Sequence, residues 1–157
     1  MLIPVIIAAV AVGGLGMAFI PQDIKGKDIG FPKGTAKIDD NVITIEIAET
    51  AAEKQRWLTF REDRLPPDTA MLIKHTEPDL HEIWTLNIEY NVDLIWFDAQ
   101  GNAVYLKENV PPCPNMLDKV GCTYKPTSQT LYVMAATAGF IDSHDIAVGS
   151  KMTLISA

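Results

Sequence analysis

His81 and Asp93 are the side chains whose types best suit proton transfer, an imidazole that titrates near neutrality and a carboxylate that could serve as general base. Ser143 followed by His144 names a nucleophile and a base, but neighbours in sequence are seldom catalytic partners, because such groups meet through folding. The chain has no glycine-rich phosphate loop and no nucleophile elbow. Its histidines, His75, His81 and His144, lack the i, i+4 spacing of a helical zinc motif and read as surface or loop residues. A hydrolytic activity therefore rests on residue types alone.

Sulfur offers a second kind of chemistry. Cys113 and Cys122 are the only cysteines, and Met116 lies between them. Copper(I) accepts such ligands, yet no histidine stands nearby to complete the set. The stretch from Val110 to Pro126 holds prolines and Gly121 that keep it out of helix and sheet. A loop of that length needs a restraint, and a disulfide closing about ten residues would contribute roughly 2 to 3 kcal/mol in the chain-entropy model. We expect a Cys113 to Cys122 disulfide, hence an oxidising compartment, and neither metal nor cofactor.

Aromatic residues give a third option. Trp84, Trp96 and Tyr105 fall in strand-like runs and Tyr90 between two of them, and exposed rings on a sheet face can stack on a sugar or on a partner's apolar surface. Core packing accounts more simply for at least one tryptophan, so the distinction rests on whether a ring is exposed beside Asn87 or Asp93.

The elements that must position these groups begin after an apolar leader. Leu2 to Ile20 carries no ionisable side chain and as a helix would be about 28 Å long, close to a bilayer's hydrocarbon thickness. We read residues 1–21 as a transmembrane anchor, with membrane lipid as partner through residues 2–20. A cleaved signal peptide would want a basic start, which is missing. Gly13 and Gly16 offer small faces to another membrane subunit. Lys25 and Lys27 beyond the span favour a cytoplasmic domain by the positive-inside rule, but long domains cross largely regardless of such charges, and the cysteine pair points outward. The formal net charge of -7 argues against nucleic acid or an anionic lipid surface as a partner.

Residues 22–35, rich in glycine and mixed charges, read as a linker, and 36–157 as one domain with one core. Val42 to Ile47 alternates and puts Ile43, Ile45 and Ile47 on one strand face. Thr50 stands three residues before Glu53, the spacing of a capping box, which predicts a helix from Ala51 to about Phe60. Short β-type runs follow at 70–74, 82–86, 92–97, 103–107 and 130–135, with Gln100-Gly101-Asn102 as a tight turn. Thr137 is the expected cap of a brief helix through Ser143, and Gly149 turns the chain into a last strand at 152–155. The pattern predicts an α+β fold, a mainly antiparallel sheet or small open β-barrel with one packed helix, preceded by the transmembrane helix.

Four runs in this order carry a resemblance: Gln55-Arg56-Trp57-Leu58-Thr59-Phe60-Arg61, Leu65-Pro66-Pro67-Asp68-Thr69-Ala70-Met71-Leu72, His81-Glu82-Ile83-Trp84-Thr85-Leu86-Asn87, and Val92-Asp93-Leu94. With Pro111-Pro112-Cys113 and the late Ala138-Gly139-Phe140, the chain from about Ile43 to Ser150 resembles the domain-of-unknown-function 192 family. Trp57 replaces a usual glycine, Thr59 and Thr85 replace methionines, Ala70 replaces glycine and Asn91 replaces proline. A tryptophan at position 57 would fill or cover whatever a glycine leaves open. Arg61, Asn87 and Asp93 match recurrent polar positions of that family and, with His81 and Trp84, make up the candidate ligand-binding set. A structural role is the alternative: Arg61 and Asp93 as a partly buried pair fixing the helix to the sheet, and Asn87 satisfying backbone groups of a neighbouring strand. The resemblance implies fold and location, since many members look secreted or anchored, and leaves activity unassigned. The expected function is an extracytoplasmic binding or accessory domain of a membrane assembly, with an enzyme acting on a small molecule or carbohydrate through Asp93 and His81 as the alternative.

Overall fold

The structure, a computed structural model, describes residues 30–157. The expected anchor and most of the expected linker lie outside those residues. The strands are β1 (Lys33–Ile38), β2 (Asn41–Ala48), β3 (Thr69–Asp79), β4 (Ile83–Trp84), β5 (Val92–Phe97), β6 (Ala103–Val110), β7 (Thr123–Tyr124), β8 (Thr130–Thr137) and β9 (Met152–Ser156), with short helices α1 (Ala51–Arg56) and α2 (Phe140–Ser143). Seven strands form one sheet in the order β6-β5-β8-β3-β2-β1-β9, and β4 pairs with β7 in a separate two-stranded ribbon. All of these pairings are antiparallel except β2 with β3, which run parallel from Thr44 opposite Thr69 to Ala48 opposite Ile73. A parallel neighbour needs a crossover, and α1 with the residues after it provides one.

Both faces of the sheet are covered. The alternation of β2 places Ile43, Ile45 and Ile47 in one core with Ile38, Leu72, Phe97 and Met134, closed by Phe140 and Ile141 of α2. The other face holds a second core in which Trp57, Leu58, Ile83 and Tyr90 cover Met71, Leu94, Trp96 and Val133. Hence every residue of β5 is buried, as expected of a strand enclosed on both sides. The sheet coils but stays open. Its edge strands β6 and β9 meet at one corner, where the Met152 N–H donates to the Gly101 carbonyl and the Ala103 N–H to that of Ser150, both at 2.8 Å. Gly101 has φ 87, and a Cβ there would strike the Met152 carbonyl, so this corner requires glycine.

The expectation of a mostly β domain is met, as an open sheet rather than a barrel. The expected single packed helix is not what forms. The Thr50–Glu53 capping box is present, yet α1 stops at Arg56 and buries no side chain. Trp57 ends it at φ 17, after which Trp57 and Leu58 turn down into the core. Burial of these two large residues outweighs one more helical turn. The helix that closes a core is α2, and Gly139 rather than Thr137 stands at its N-cap. The Thr137 hydroxyl instead donates to the Leu65 carbonyl at 2.8 Å. β1 begins at Lys33, inside the expected linker, and β7 falls inside the expected irregular loop. Among the described residues no helix is long and apolar enough to cross a membrane.

Candidate functional site

The alternation of β5 points Asp93 to the face of Ile95 and Phe97, where it is 1 % exposed. Its Oδ1 accepts the Asn109 N–H at 2.8 Å, and its Oδ2 accepts those of Gly139 at 3.1 Å and Ile141 at 2.9 Å. Asn109 has φ 52 and lies where the β5–β6 register shifts, so one carboxylate fastens a β-bulge to the start of α2. Asp93 therefore does not pair with Arg61, contrary to the structural alternative read from the sequence.

Arg61 lies on the other side of the sheet and pairs with Glu46. Its two terminal nitrogens each stand 2.9 Å from a different oxygen of Glu46, a fork-on-fork geometry. The Glu46 side chain is 10 % exposed and that of Arg61 33 %, and the hydrogen bond to Glu46 raises the arginine's pKa. Sequence reading missed Glu46. The signal was a charged residue in an otherwise apolar part of β2, whose burial demands a cation. Tyr90 is buried beside this pair, which pushes its hydroxyl above the ordinary pKa. The Leu65 backbone approaches that hydroxyl without completing a hydrogen bond of good geometry. Asn87 is exposed at φ 64, a conformation asparagine tolerates well. It is the backbone carbonyl of Asn87, not its side chain, that accepts the Phe60 N–H at 2.7 Å, and the partner is a turn rather than a strand.

His81 stacks on His75 with ring centroids 3.4 Å apart, and its Nε2 faces the Glu77 carbonyl at 2.8 Å. Burial, the neighbouring His81 and Lys54 lower the pKa of His75 to about 4. The indole N–H of Trp96 donates to the His81 carbonyl at 2.7 Å. Trp96 and Asp93 point to opposite faces of β5, so the sheet stands between His81 and Asp93. Trp96 is wholly buried, which makes it core, while Trp84 is half-buried.

Folding does assemble one chain of groups that spacing could not show. His144 Nε2 is 2.9 Å from Asp68 Oδ1, and its Nδ1 is 3.2 Å from Ser143 Oγ. Of the three, Ser143 alone lines a cleft of about 200 Å³, together with Leu65, Pro66, Pro67 and Phe140. The order resembles a catalytic triad, but the protonation does not suit one. Nδ1 lies 2.8 Å from the Phe140 carbonyl, a contact that requires Nδ1 to carry the proton and leaves no lone pair for the serine. The Ser143 hydroxyl also donates to that carbonyl, at 3.2 Å. The N–H groups of Gly139 and Ile141, which could stabilise an oxyanion, are already bonded to Asp93. As arranged, the trio clamps α2 to the start of β3.

The remaining group is the cysteine loop. Cys113 and Cys122 form the expected disulfide, with Cα atoms 5.5 Å apart. The backbone of Thr85 binds both cysteines: its carbonyl accepts the Cys113 N–H at 3.2 Å and its N–H donates to the Cys122 carbonyl at 3.1 Å. The loop is thereby docked on the β4–β7 ribbon. Inside it, Asn115 Oδ1 accepts the Leu117 N–H at 2.9 Å and Asp118 Oδ1 accepts that of Gly121 at 3.0 Å. Lys119 lies 5.2 Å above the Trp84 ring, a cation–π contact. These bonds leave three apolar side chains facing water, Met116 at 67 %, Leu117 at 86 % and Val120 at 92 % exposed. The disulfide removes the thiolates that a copper(I) site would need. Among the described residues no cluster of three or more His, Cys, Asp or Glu side chains could hold a metal ion.

An open, coiled seven-stranded sheet with a disulfide-closed loop on an accessory ribbon thus defines the class of domain. Residues 34–154 match the family described as Uncharacterized ACR, DUF192, and the chain belongs to that family. The fold is shared with a "putative transcription regulator" from Sinorhizobium meliloti 1021, at 18 % identity and a TM-score of 0.71, covering 81 % of this chain and 97 % of that one. It is also shared with a protein of unknown function from Novosphingobium aromaticivorans DSM 12444, at 21 % identity and a TM-score of 0.71, covering 80 % and 87 %. At such identities the likeness extends to the fold alone. No curated protein matches the sequence.

Proposed function

We propose that this chain is a membrane-tethered, non-enzymatic binding or accessory module whose domain works outside the cytoplasm. The observation that carries this reading is the Cys113–Cys122 disulfide, which closes a loop whose apolar apex is turned to solvent. Structural disulfides persist in oxidising compartments, and an ordered, exposed apolar cluster is a surface for association. The leader from Leu2 to Ile20 has the length and composition of a span, which makes other membrane subunits the natural partners. The polar residues with catalytic potential support the same reading, since Asp93, Glu46, Arg61 and His144 each hold two segments of the fold together.

Two measurements test it. Thiol labelling of intact cells with an impermeant reagent, with and without an impermeant reductant, should label Cys113 and Cys122 only after reduction. Labelling without reductant would refute the disulfide, and no labelling under either condition would refute the outward placement. Extraction of the full chain in mild detergent should bring down a stoichiometric membrane partner, whereas a solitary chain that turns over a small molecule would refute the module.

A further inference from the structure

The end of β3 leaves the sheet and folds back over the second core. Lys74 lies opposite Tyr132 of β8, and the next registered pair is Asp79 with Thr130, so five steps along β3 face two along β8. The residues between, His75 to Pro78, bulge from the ladder, and Pro78 has no N–H with which to rejoin it. A pair of rings brings the chain back: His75 and His81 lie face to face, 4° from parallel, with centroids 3.4 Å apart. His81 Nε2 is 2.8 Å from the Glu77 carbonyl, which can only accept, so that nitrogen carries a proton. The His81 carbonyl in turn accepts the indole N–H of wholly buried Trp96 at 2.7 Å. Thr76 to Leu80 are all exposed, so little apolar packing holds this segment and the ring stack carries much of its attachment.

Such a fastening is sensitive to acid. A single proton on the pair sets a cation on a neutral ring and keeps the Glu77 contact, which the stack tolerates. A second proton sets two cations face to face at van der Waals distance, which it does not. Burial, then the neighbouring His81, then Lys54 of α1 bring the pKa of His75 down to about 4 from 6.5. Lys74 points to the opposite face of β3, where it pairs with Glu49 at 3.4 Å. The segment's own carboxylates belong to exposed Glu77, Asp79 and Glu82, and that of Asp79 accepts the Leu80 N–H at 2.7 Å. A released His75 regains its ordinary affinity for a proton, so the closed form is fully favoured above pH 6.5 and loses ground as pH falls toward 4. We propose that residues 76–82 form a flap latched by the His75–His81 stack, and that acidification releases the flap and uncovers the indole N–H of Trp96. The latch requires neither the tether nor a partner.

The test follows the full chain in mild detergent by NMR at neutral pH and at about pH 4.5. Solvent exchange of the Trp96 indole proton, corrected for the intrinsic effect of pH, should quicken tenfold or more at the lower pH, while the backbone amides of β5 and β8 keep their protection. His75→Phe keeps a stacked ring that cannot take a proton and should abolish most of the acceleration. A readout that needs no variant is the titration of the His75 ring itself, whose protonation should coincide with the faster indole exchange and with loss of cross-relaxation between the two imidazoles. Unchanged indole exchange in acid would overturn the latch, as would an equal acceleration in folded His75→Phe. Loss of protection spread evenly over the sheet would replace it with global unfolding, and exchange that quickens well before His75 takes up its proton would remove the stack as the cause.

Discussion

Asp93 and the loop apex solve opposite problems. Asp93 is a charge placed inside the core, and three backbone N–H groups from β6 and the start of α2 converge on it. The apex from Met116 to Val120 is apolar surface placed in water, held by short-range turns and one covalent link. The carboxylate is buried against these three donors and binds the fold together. The apex contributes little to the fold and remains available to something else. Polar residue type alone is thus a poor guide to function in this domain, and surplus exposed apolar area is a better one.

The comparison is broken most severely at Asp93. Asp93→Ala should cost about 3 to 5 kcal/mol in chemical denaturation, because several buried N–H groups lose their acceptor at once. Asp93→Asn should cost less, and a fully stable Asn variant that lost a ligand would mean the carboxylate is a site after all. On the loop side, Cys113→Ser with Cys122→Ser should lower stability by about 2 to 3 kcal/mol and loosen residues 113–122 in hydrogen exchange, with the sheet unaffected. Arg61→Ala should cost about 2 kcal/mol, since it strands the mostly buried Glu46, and Glu46→Gln in the same background should recover part of it.

His75 supplies a pH test. Its folded-state pKa of about 4 lies below the ordinary 6.5, so the unfolded chain takes up a proton that the folded one resists. The associated stability is complete above pH 6.5 and is lost as pH falls toward 4. Because the ring is half-buried the loss should be screened to about 1 to 2 kcal/mol, and His75→Phe should flatten that part of the stability profile. The smallest effect should be Leu117→Asp. It should change stability by less than about 0.5 kcal/mol, since the side chain touches little of the fold.

Several elements were legible before any coordinates. The period-two run at Val42 to Ile47, the Thr50–Glu53 capping box, the strand at Val92 to Phe97 and the Gly101 turn appear where local pattern puts them. The length of α1 was misread because helical spacing continues through Trp57 and Leu58, and only the core they fill stops the helix. The triad-like meeting of Asp68, Ser143 and His144 was invisible because Asp68 and His144 stand 76 positions apart.

By itself, the sequence determined most of the strand segments, though not β1 or β7, that the two cysteines share one loop, and which family the chain resembles, because each of these depends on residues within a few positions of one another. The tertiary structure alone decided that Arg61 meets Glu46 and not Asp93, that the sheet separates His81 from Asp93, and that Met116, Leu117 and Val120 face water. Those outcomes depend on strand order and on the face of the sheet each side chain takes. Both are fixed by how the two cores close, a global free-energy minimum that no local spacing encodes.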